Sequence, residues 1–235
     1  MKNVLVCKNC KHENPYYVWI CKNCNSYLRE RIFNIDLWKV LSLLMYAPQK
    51  GFGIVIQSEH KNFIVPIFLF ASIKFFIDSM FISLFTYKNE PELGNFIFNF
   101  LIIFASLLAL LLLIAFMFSL VNKSFGLITR FRDNFAILVY SLIPHIFALI
   151  LLFTVELTVF GGGLFSNNPS PFTIKEFLAY SFLVFEGIII IWGIVLGINA
   201  VYKQTKSKTY SIIAGTIFNI ILYFCLYINS IYLFK

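Results

Sequence analysis

The run Leu107-Leu-Ala-Leu-Leu-Leu-Leu-Ile-Ala-Phe-Met-Phe118 contains no polar side chain. It lies inside a longer apolar segment, Phe96–Val121. About 20 consecutive apolar residues in a helix cross the hydrocarbon core of a bilayer. This segment is therefore predicted to be a transmembrane helix.

Four further segments are long and apolar enough to span, and polar or helix-breaking residues separate them. Together the five segments predict an all-α membrane protein, a bundle of about five transmembrane helices. The composition agrees, because 60% of the 235 residues are apolar and only 13% are charged, which is well outside the range of soluble domains. The other four segments are Phe63–Tyr87, Phe135–Phe160, Phe177–Tyr202 and Tyr210–Phe234.

The basic residues are divided unequally between the two faces of this bundle. Fifteen Lys and Arg residues precede the first span or follow the second and fourth spans, and three lie on the other face. Lys and Arg accumulate on the cytoplasmic side of membrane proteins. We therefore expect a cell-membrane protein with a cytoplasmic N-terminus and an extracellular or lumenal C-terminus. The net charge of +8 is then a topology signal, and no nucleic-acid partner is expected.

Two Cys-x-x-Cys pairs, Cys7-Lys-Asn-Cys10 and Cys21-Lys-Asn-Cys24, lie within the polar residues 1–32, which we call the cysteine module. Two residues between cysteines let both sulfurs point at one metal, and two such turns supply four thiolates. A segment this short can hardly build a core, so a metal is the expected organiser. The module is predicted to be a small zinc ribbon with a structural Zn²⁺ bound by these four cysteines.

Three other interpretations of the cysteines are a disulfide pair, a redox site and an iron–sulfur cluster. The predicted cytoplasmic location disfavours stable disulfides. A redox Cys-x-x-Cys normally occurs in a βαβ context, which is absent here. Four thiolates also suit an iron–sulfur cluster, so the identity of the metal stays open. His12 could replace one thiolate, although a solvated neighbour is the simpler interpretation.

Residues 33–61 form a juxtamembrane segment between the cysteine module and the predicted spanning domain, residues 62–235. Within it, Phe33–Met45 is apolar but too short to span, and Pro48 would end a helix there. Two interpretations stay open. The segment is either a helix in the plane of the membrane interface or a helix that packs on the bundle.

Five ionisable side chains fall inside the predicted spans. Charged residues in a membrane usually face a partner or a water-filled cavity. One interpretation is that all five line a polar path or a lipid-headgroup cavity. The other is that Lys74 and Asp78, four residues apart, satisfy each other. In that case Glu156 reaches the interface and His145 caps a kink. The five residues of this possible intramembrane polar site are Lys74, Asp78, His145, Glu156 and Glu186.

The cysteine module resembles the short zinc ribbons at the N-termini of many prokaryotic membrane proteins, whose pattern is CxxCG…NP…CxxCG. Asn14-Pro15 fits this pattern, and Lys11 and Asn25 occupy the two glycine positions. Asn tolerates the left-handed backbone conformation of such a glycine better than Lys does.

Residues 46–235 resemble the Yip (Ypt-interacting protein) domain family, prokaryotic type, in three motifs and their order. The motifs are Pro48-Gln-Lys-Gly-Phe52 with Ile56 and Pro66, then Tyr140-Ser-Leu-Ile-Pro144, then Trp192-Gly with Gly197 and Tyr202. Eukaryotic members are membrane-traffic proteins that engage Rab GTPases. Their Asp-Leu-Tyr-Gly-Pro motif corresponds to Met45-Tyr-Ala-Pro48 in this chain.

No nucleotide-binding, nucleophile-elbow or metalloprotease motif occurs in the sequence, so no enzyme activity is expected.

The patterns suggest two functions, a scaffold or adaptor and a transporter or channel. The resemblance implies a scaffold or adaptor of the Yip type, in membrane organisation or trafficking. A cytoplasmic protein partner would bind the cysteine module, where Tyr16, Tyr17 and Trp19 offer aromatic rings. The alternative is a small transporter or channel that uses the five intramembrane ionisable residues.

Overall fold

The structure, a computed structural model, describes residues 3–87 and 95–234. In these residues five helical segments are long and apolar enough to cross a membrane, and this prediction is confirmed. The predicted connection 88–91 lies outside the described residues, as do Lys2, Lys88 and Lys235 of the charge count. The five segments are Ile64–Thr86, Phe96–Ser124, Phe131–Phe165, Glu176–Thr205 and Lys208–Leu233.

The N-terminal part consists of two short strands and two short helices. Strand β1 (Val4–Val6) pairs antiparallel with β2 (Glu13–Pro15). Helix α1 (Leu37–Tyr46) begins where the Asp36 side chain accepts a hydrogen bond from Lys39 N, and it ends before Pro48 as predicted. Pro48 then opens a second helix, α2 (Pro48–Gln57), which the sequence had not predicted.

Helices α3 (Ile64–Tyr87) and α4 (Phe96–Ser124) run without interruption, and so do α9 (Glu176–Thr205) and α10 (Lys208–Leu233). Large apolar side chains are exposed along them, far beyond what a soluble protein leaves in contact with water. Such surfaces suit a lipid environment, because the backbone polar groups in the interior of each helix are paired within that helix. On α9 the exposed side chains include Phe177, Leu183, Val184, Phe185, Ile188 and Ile191.

The third spanning segment is divided into several pieces. It contains α5 (Phe131–Tyr140), α6 (Ile143–Phe147), a π-helix (Ala148–Phe153), α7 (Thr154–Phe160) and a 3₁₀ turn (Gly161–Phe165). The break after α5 has a clear cause, since Pro144 has no N–H to donate to the carbonyl of Tyr140. A short helix, α8 (Pro171–Ile174), precedes α9.

The chain forms two compact units, each built from three segments. The first unit comprises Met1–Val65, Leu111–Ser141 and Val195–Phe218, so it includes the cysteine module. The second unit comprises Pro66–Leu110, Leu142–Ile194 and Asn219–Lys235, and it includes all five predicted intramembrane ionisable residues.

In the first unit, α9 and α10 approach each other closely at a glycine. A Cβ atom added to Gly215 would lie 2.7 Å from Ile198 Cα, so only glycine fits there. Nearby, the Asn134 side chain of α5 donates a 2.6 Å hydrogen bond to Ser119 Oγ of α4. Small residues and interhelical hydrogen bonds of this kind hold membrane helices together.

In the second unit, aromatic rings form much of the core. The ring of Phe76 on α3 packs edge-on against Phe96, Phe100 and Phe234, with centroid distances of 4.7, 5.9 and 5.7 Å. The buried Ser83 Oγ donates to the carbonyl of Phe234 at 2.5 Å. This bond satisfies a backbone acceptor beyond the end of α10.

Candidate metal centre and acidic cavity

The four cysteines of the module converge on one point. The Sγ atoms of Cys7, Cys10, Cys21 and Cys24 all lie within 4.8 Å of one another, and none of these cysteines is in a disulfide. Two of the separations are 3.5 and 3.6 Å. Zn–S bonds of about 2.3 Å place the sulfurs of a tetrahedron about 3.8 Å apart, so the cluster can hold a metal ion. His12, the alternative ligand, is exposed and is not part of this cluster.

Both Cys-x-x-Cys pairs form the same backbone turn. Lys11 N donates to Cys7 O at 3.0 Å, and Asn25 N donates to Cys21 O at 3.1 Å. Lys11 and Asn25 have φ angles of 57° and 55°, in the left-handed region. These are the two positions at which the zinc-ribbon pattern has glycine, and glycine adopts this conformation at the least cost.

Two polar side chains outside the four cysteines contact the sulfurs. Ser26 Oγ lies 3.1 Å from both Cys7 Sγ and Cys24 Sγ. This hydroxyl is the largest cause that lowers the pKa of both thiols, and together with the Ser26 backbone and the neighbouring thiols it brings the pKa of Cys24 to about 6. The contacts of Ser26 thus favour the thiolate, which is the form that binds metal. The buried Asn14 donates from Nδ2 to Cys21 Sγ at 3.5 Å.

Sequence reasoning had missed Ser26 and had used Asn14 only as half of an Asn-Pro motif. The available signal was the position of each residue. Ser26 follows the second cysteine pair by two residues, and Asn14 precedes the proline that ends β2.

The aromatic rings predicted to offer a partner surface lie against basic residues of the same chain. Lys203 Nζ lies 4.9 Å from the ring centroid of Tyr16, and the guanidinium of Arg130 lies 4.1 Å from that of Tyr17. Trp19 is half-buried, as are both tyrosines. These cation–π contacts leave less aromatic surface for a partner than the sequence alone indicated.

Hydrogen bonds to helix ends hold the cysteine module within the first unit. Asn3 Nδ2 donates to the carbonyls of Lys203 and Gln204, at 2.9 Å each, near the C-terminal end of α9. Arg29 donates at 2.8 Å to the carbonyl of Gln57, the last residue of α2. These side chains satisfy carbonyls that have no partner within their own helices.

A buried ion pair connects the segment after α2 with the start of α5. Lys61 Nζ lies 3.1 Å from Asp133 Oδ1, and the two side chains are 7% and 1% exposed. Lys61 also donates to the carbonyls of Val55 and Ser58 at the end of α2. Asp133 receives two further hydrogen bonds from Arg130. Burial lowers the pKa of Lys61 to about 8, although the Asp133 carboxylate opposes this shift.

Three of the five predicted intramembrane residues form one ion cluster, in the second unit. Lys74 Nζ lies 2.6 Å from Asp78 Oδ1 and 2.5 Å from Glu186 Oε1. Lys74 is fully buried, whereas the two carboxylate side chains are 19% and 25% exposed. The spacing of Lys74 and Asp78 predicted their pairing. Nothing in the sequence predicted Glu186 as the second partner.

A cavity of about 300 Å³ opens beside this cluster, and we call it the acidic cavity. Its wall includes Asp78 and Glu186 together with the two remaining predicted residues, His145 and Glu156. The structure therefore brings all five predicted residues to one place, four on the cavity wall and Lys74 directly behind it. Most of the wall is apolar and includes Phe81, Phe85, Phe160, Phe172, Phe182 and Leu183.

Glu156 differs from the other two carboxylates of the cavity. Its side chain is 6% exposed, and Oε2 has no hydrogen-bond partner among the described residues. A buried polar atom without a partner costs about 1–3 kcal/mol, and more when it is charged. Such atoms are rare in natural structures. Among the described carboxylates of this cavity, Glu156 is therefore the one with a buried oxygen left free to accept a hydrogen bond.

His145 and Tyr223 complete the polar part of the wall. His145 Nε2 lies 3.3 Å from Tyr223 OH, and its ring centroid lies 4.7 Å from that of Phe75. The π-helix Ala148–Phe153 separates His145 from Glu156, and π segments are frequent at functional sites. Sequence reasoning missed Tyr223, because a tyrosine in an apolar span gives no signal that distinguishes it from a core ring.

No protein-family model, curated protein or solved structure matches this chain. The resemblance to the Yip family stays a prediction from the three motifs.

Proposed function

We propose that this chain is a small membrane transporter or channel that binds its solute at the acidic cavity. The observation that carries the proposal is the contact of one buried amine, Lys74, with two carboxylates, Asp78 and Glu186, that both line the cavity.

The charge balance of the site supports a functional role over a structural one. Charged residues within a membrane are expensive to bury, so a structural pair needs one acid for each base. Here Lys74 faces two carboxylates, and the third carboxylate, Glu156, lies on the same wall with Oε2 unpaired among the described residues. The excess of acidic groups provides a place for a proton or a cation that enters and leaves.

Proton flux into vesicles tests this proposal. The purified chain is reconstituted into liposomes that contain a pH-sensitive dye, and a membrane potential is imposed. We expect flux above that of empty liposomes, and we expect Asp78→Asn and Glu186→Gln to abolish it at equal incorporation. Glu176→Gln, an exposed acid at the start of α9, is the matched control and should keep the flux. Equal flux in Asp78→Asn and the unaltered chain would contradict the proposal.

For the cysteine module we propose a structural Zn²⁺ site. Four thiolates close the tetrahedron and leave no open position for a substrate, so a catalytic metal is not expected. Iron also binds four thiolates, and the metal content of the purified chain, measured by mass spectrometry, distinguishes the two. We expect one zinc per chain, and iron in its place would contradict the assignment.

For the topology we propose that the cysteine module lies on the cytoplasmic side of the cell membrane. The unequal distribution of Lys and Arg supports this orientation. A membrane-impermeant thiol reagent applied after metal removal should label the module in inverted vesicles but not in intact cells. Labelling of the module in intact cells would show that it lies on the outer side, opposite to the proposed orientation.

A second candidate function is a scaffold or adaptor of the Yip type. It is favoured by two exposed side chains of the cysteine module, Val6 and Tyr27, which are 57% and 78% exposed. Exposed aliphatic and aromatic groups beside a rigid metal site can form the centre of a small interface. Crosslinking in native membranes tests this function. A protein captured by the unaltered chain, but not by Val6→Asp or Tyr27→Ala, would support the adaptor.

A further inference from the structure

We infer that the acidic cavity binds a small apolar organic cation, an amine or quaternary ammonium ion, whose positive charge faces Glu156. This inference rests on the proposed function and names the class of ligand for the same site.

The charges on the wall select the sign of the ligand. Among the described residues that line the cavity there are three carboxylates and no Lys or Arg side chain. Asp78 and Glu186 each contact Lys74, while Glu156 Oε2 has no hydrogen-bond partner in the part of the chain that the structure describes. An anion in the cavity would be repelled by the carboxylates, whereas a cation would provide a positive partner for Glu156 Oε2. The geometry therefore favours a ligand with a positive charge.

The rest of the wall selects an organic cation over a metal ion. Hard metal ions need about six oxygen ligands at short distance, and the polar groups here occupy only part of the wall. Most of the wall consists of aromatic and aliphatic side chains, and aromatic faces attract ammonium groups. A pocket that is largely apolar with a few convergent polar groups is typical of small organic ligands.

The volume limits the size of the ligand. About 300 Å³ is at the lower end of the range for small-molecule pockets. At one end of the wall lie Asp78 and Glu186. At the other end lie Asn167 and Phe172, which belong to the segment between the third and fourth apolar helical segments. A ligand with one charged group and one ring can therefore place its charge at the carboxylates and its ring among the phenylalanines.

Equilibrium binding of radiolabelled benzyltrimethylammonium to the purified full-length chain tests the inference. We expect saturable binding that unlabelled cation displaces and that neutral benzyl alcohol does not. Glu156→Gln should weaken the affinity about tenfold or more, because the attraction between the carboxylate and the ammonium charge is lost. Glu176→Gln, the exposed control, should bind as the unaltered chain does.

A second measurement keeps the test valid if Glu156→Gln does not fold. In the unaltered chain, a hydrophobic carbodiimide should modify Glu156, and benzyltrimethylammonium should protect it. Unchanged affinity in a folded Glu156→Gln protein, or absence of protection, would overturn the inference. Absence of cation binding with proton flux retained would overturn the inference and leave the proposed function intact. Loss of both would overturn both.

Discussion

Lys74 Nζ lies 2.5 Å from Glu186 Oε1, although the two residues are 112 positions apart and lie on different helices, α3 and α9. The same amine contacts Asp78 one turn along α3. A single buried lysine thus joins two spanning helices and neutralises part of an acidic cavity.

Replacement of this lysine should destabilise the protein strongly. Lys74→Met leaves Asp78 and Glu186 facing each other without a counter-ion, and the loss of one partner from a buried ion pair costs about 3–5 kcal/mol. Thermal unfolding in detergent should show a large decrease in melting temperature. Lys50→Met, which changes an exposed lysine, should leave it nearly unchanged. Equal melting temperatures for the two variants would show that the ion cluster does not stabilise the fold.

The Ser26 hydroxyl should strengthen metal binding. Ser26→Ala removes a hydrogen-bonding group from both Cys7 and Cys24. Removal of such an outer partner typically weakens metal affinity about 10- to 100-fold. Competition with a zinc chelator measures the change. Ser42→Ala is the control. It removes an exposed hydroxyl on α1 that donates only to a backbone carbonyl, that of Lys39. An affinity that is the same in both variants contradicts a role for Ser26.

Glycine at the two left-handed positions should stabilise the cysteine module. Lys11→Gly relieves a left-handed lysine and should raise the free energy of unfolding by about 1 kcal/mol. Asn25→Gly should give a smaller gain, because asparagine tolerates this conformation better. Chelator-induced unfolding provides the measurement. Lys8→Gly, at a position whose φ is not positive, should not stabilise, and the prediction is wrong if Lys8→Gly and Lys11→Gly behave alike.

The close approach of α9 and α10 gives a matched pair of glycine substitutions. Gly215→Ala places a methyl group 2.7 Å from the backbone of Ile198 and should destabilise by about 1–3 kcal/mol. Gly187→Ala meets nothing within 4 Å and should stabilise α9 by about 0.5–1 kcal/mol. Thermal unfolding should therefore show a lower melting temperature for Gly215→Ala and a higher one for Gly187→Ala than for the unaltered chain. An unchanged or raised melting temperature in Gly215→Ala would contradict the close packing at Gly215.

Because Lys61 is buried, we expect the free energy of unfolding to change with pH in the alkaline range. Its pKa is about 8 in the folded chain and 10.5 in an unfolded one. Between these values the unfolded state binds more protons, so stability rises with pH. The stability of the unaltered chain relative to Lys61→Met should therefore increase from pH 8 to pH 10. Subtracting the free energy of unfolding of Lys61→Met from that of the unaltered chain at each pH removes the contribution of other titrating groups. A difference that stays constant or decreases over this range argues against a depressed pKa.

Hydropathy and residue spacing were enough to predict the five helices and the convergence of the four cysteines. Both are local properties, because a run of apolar residues defines a span and two Cys-x-x-Cys turns define a metal-sized cluster. The left-handed positions Lys11 and Asn25 were also visible from the ribbon pattern. The sequence did not predict α2, since Gly51 and Gly53 resemble helix breakers. In the structure Gly51 instead lies against Leu44 of α1, where a Cβ atom would be 3.0 Å from that side chain.

Of the two partners of Lys74 in the second unit, the sequence predicted one. Its pairing with Asp78 follows from a spacing of four residues, whereas its contact with Glu186 depends on which face of α9 is turned toward α3. Because apolar residues occur on every face of α9, hydropathy does not indicate which face is turned toward α3. The same limit applies to Tyr223, and the π-helix between His145 and Glu156 has no simple sequence signal.

Uptake of benzyltrimethylammonium into liposomes that contain the purified chain tests most directly whether the acidic cavity transports an organic cation. An imposed potential, negative inside, should drive uptake several-fold above that of empty liposomes. Glu156→Gln liposomes should take up several-fold less than liposomes with the unaltered chain when the cation concentration is low, and Glu176→Gln liposomes should match the unaltered chain. Uptake that does not exceed the empty control, or that is equal in Glu156→Gln and the unaltered chain, would contradict transport of an organic cation at this cavity.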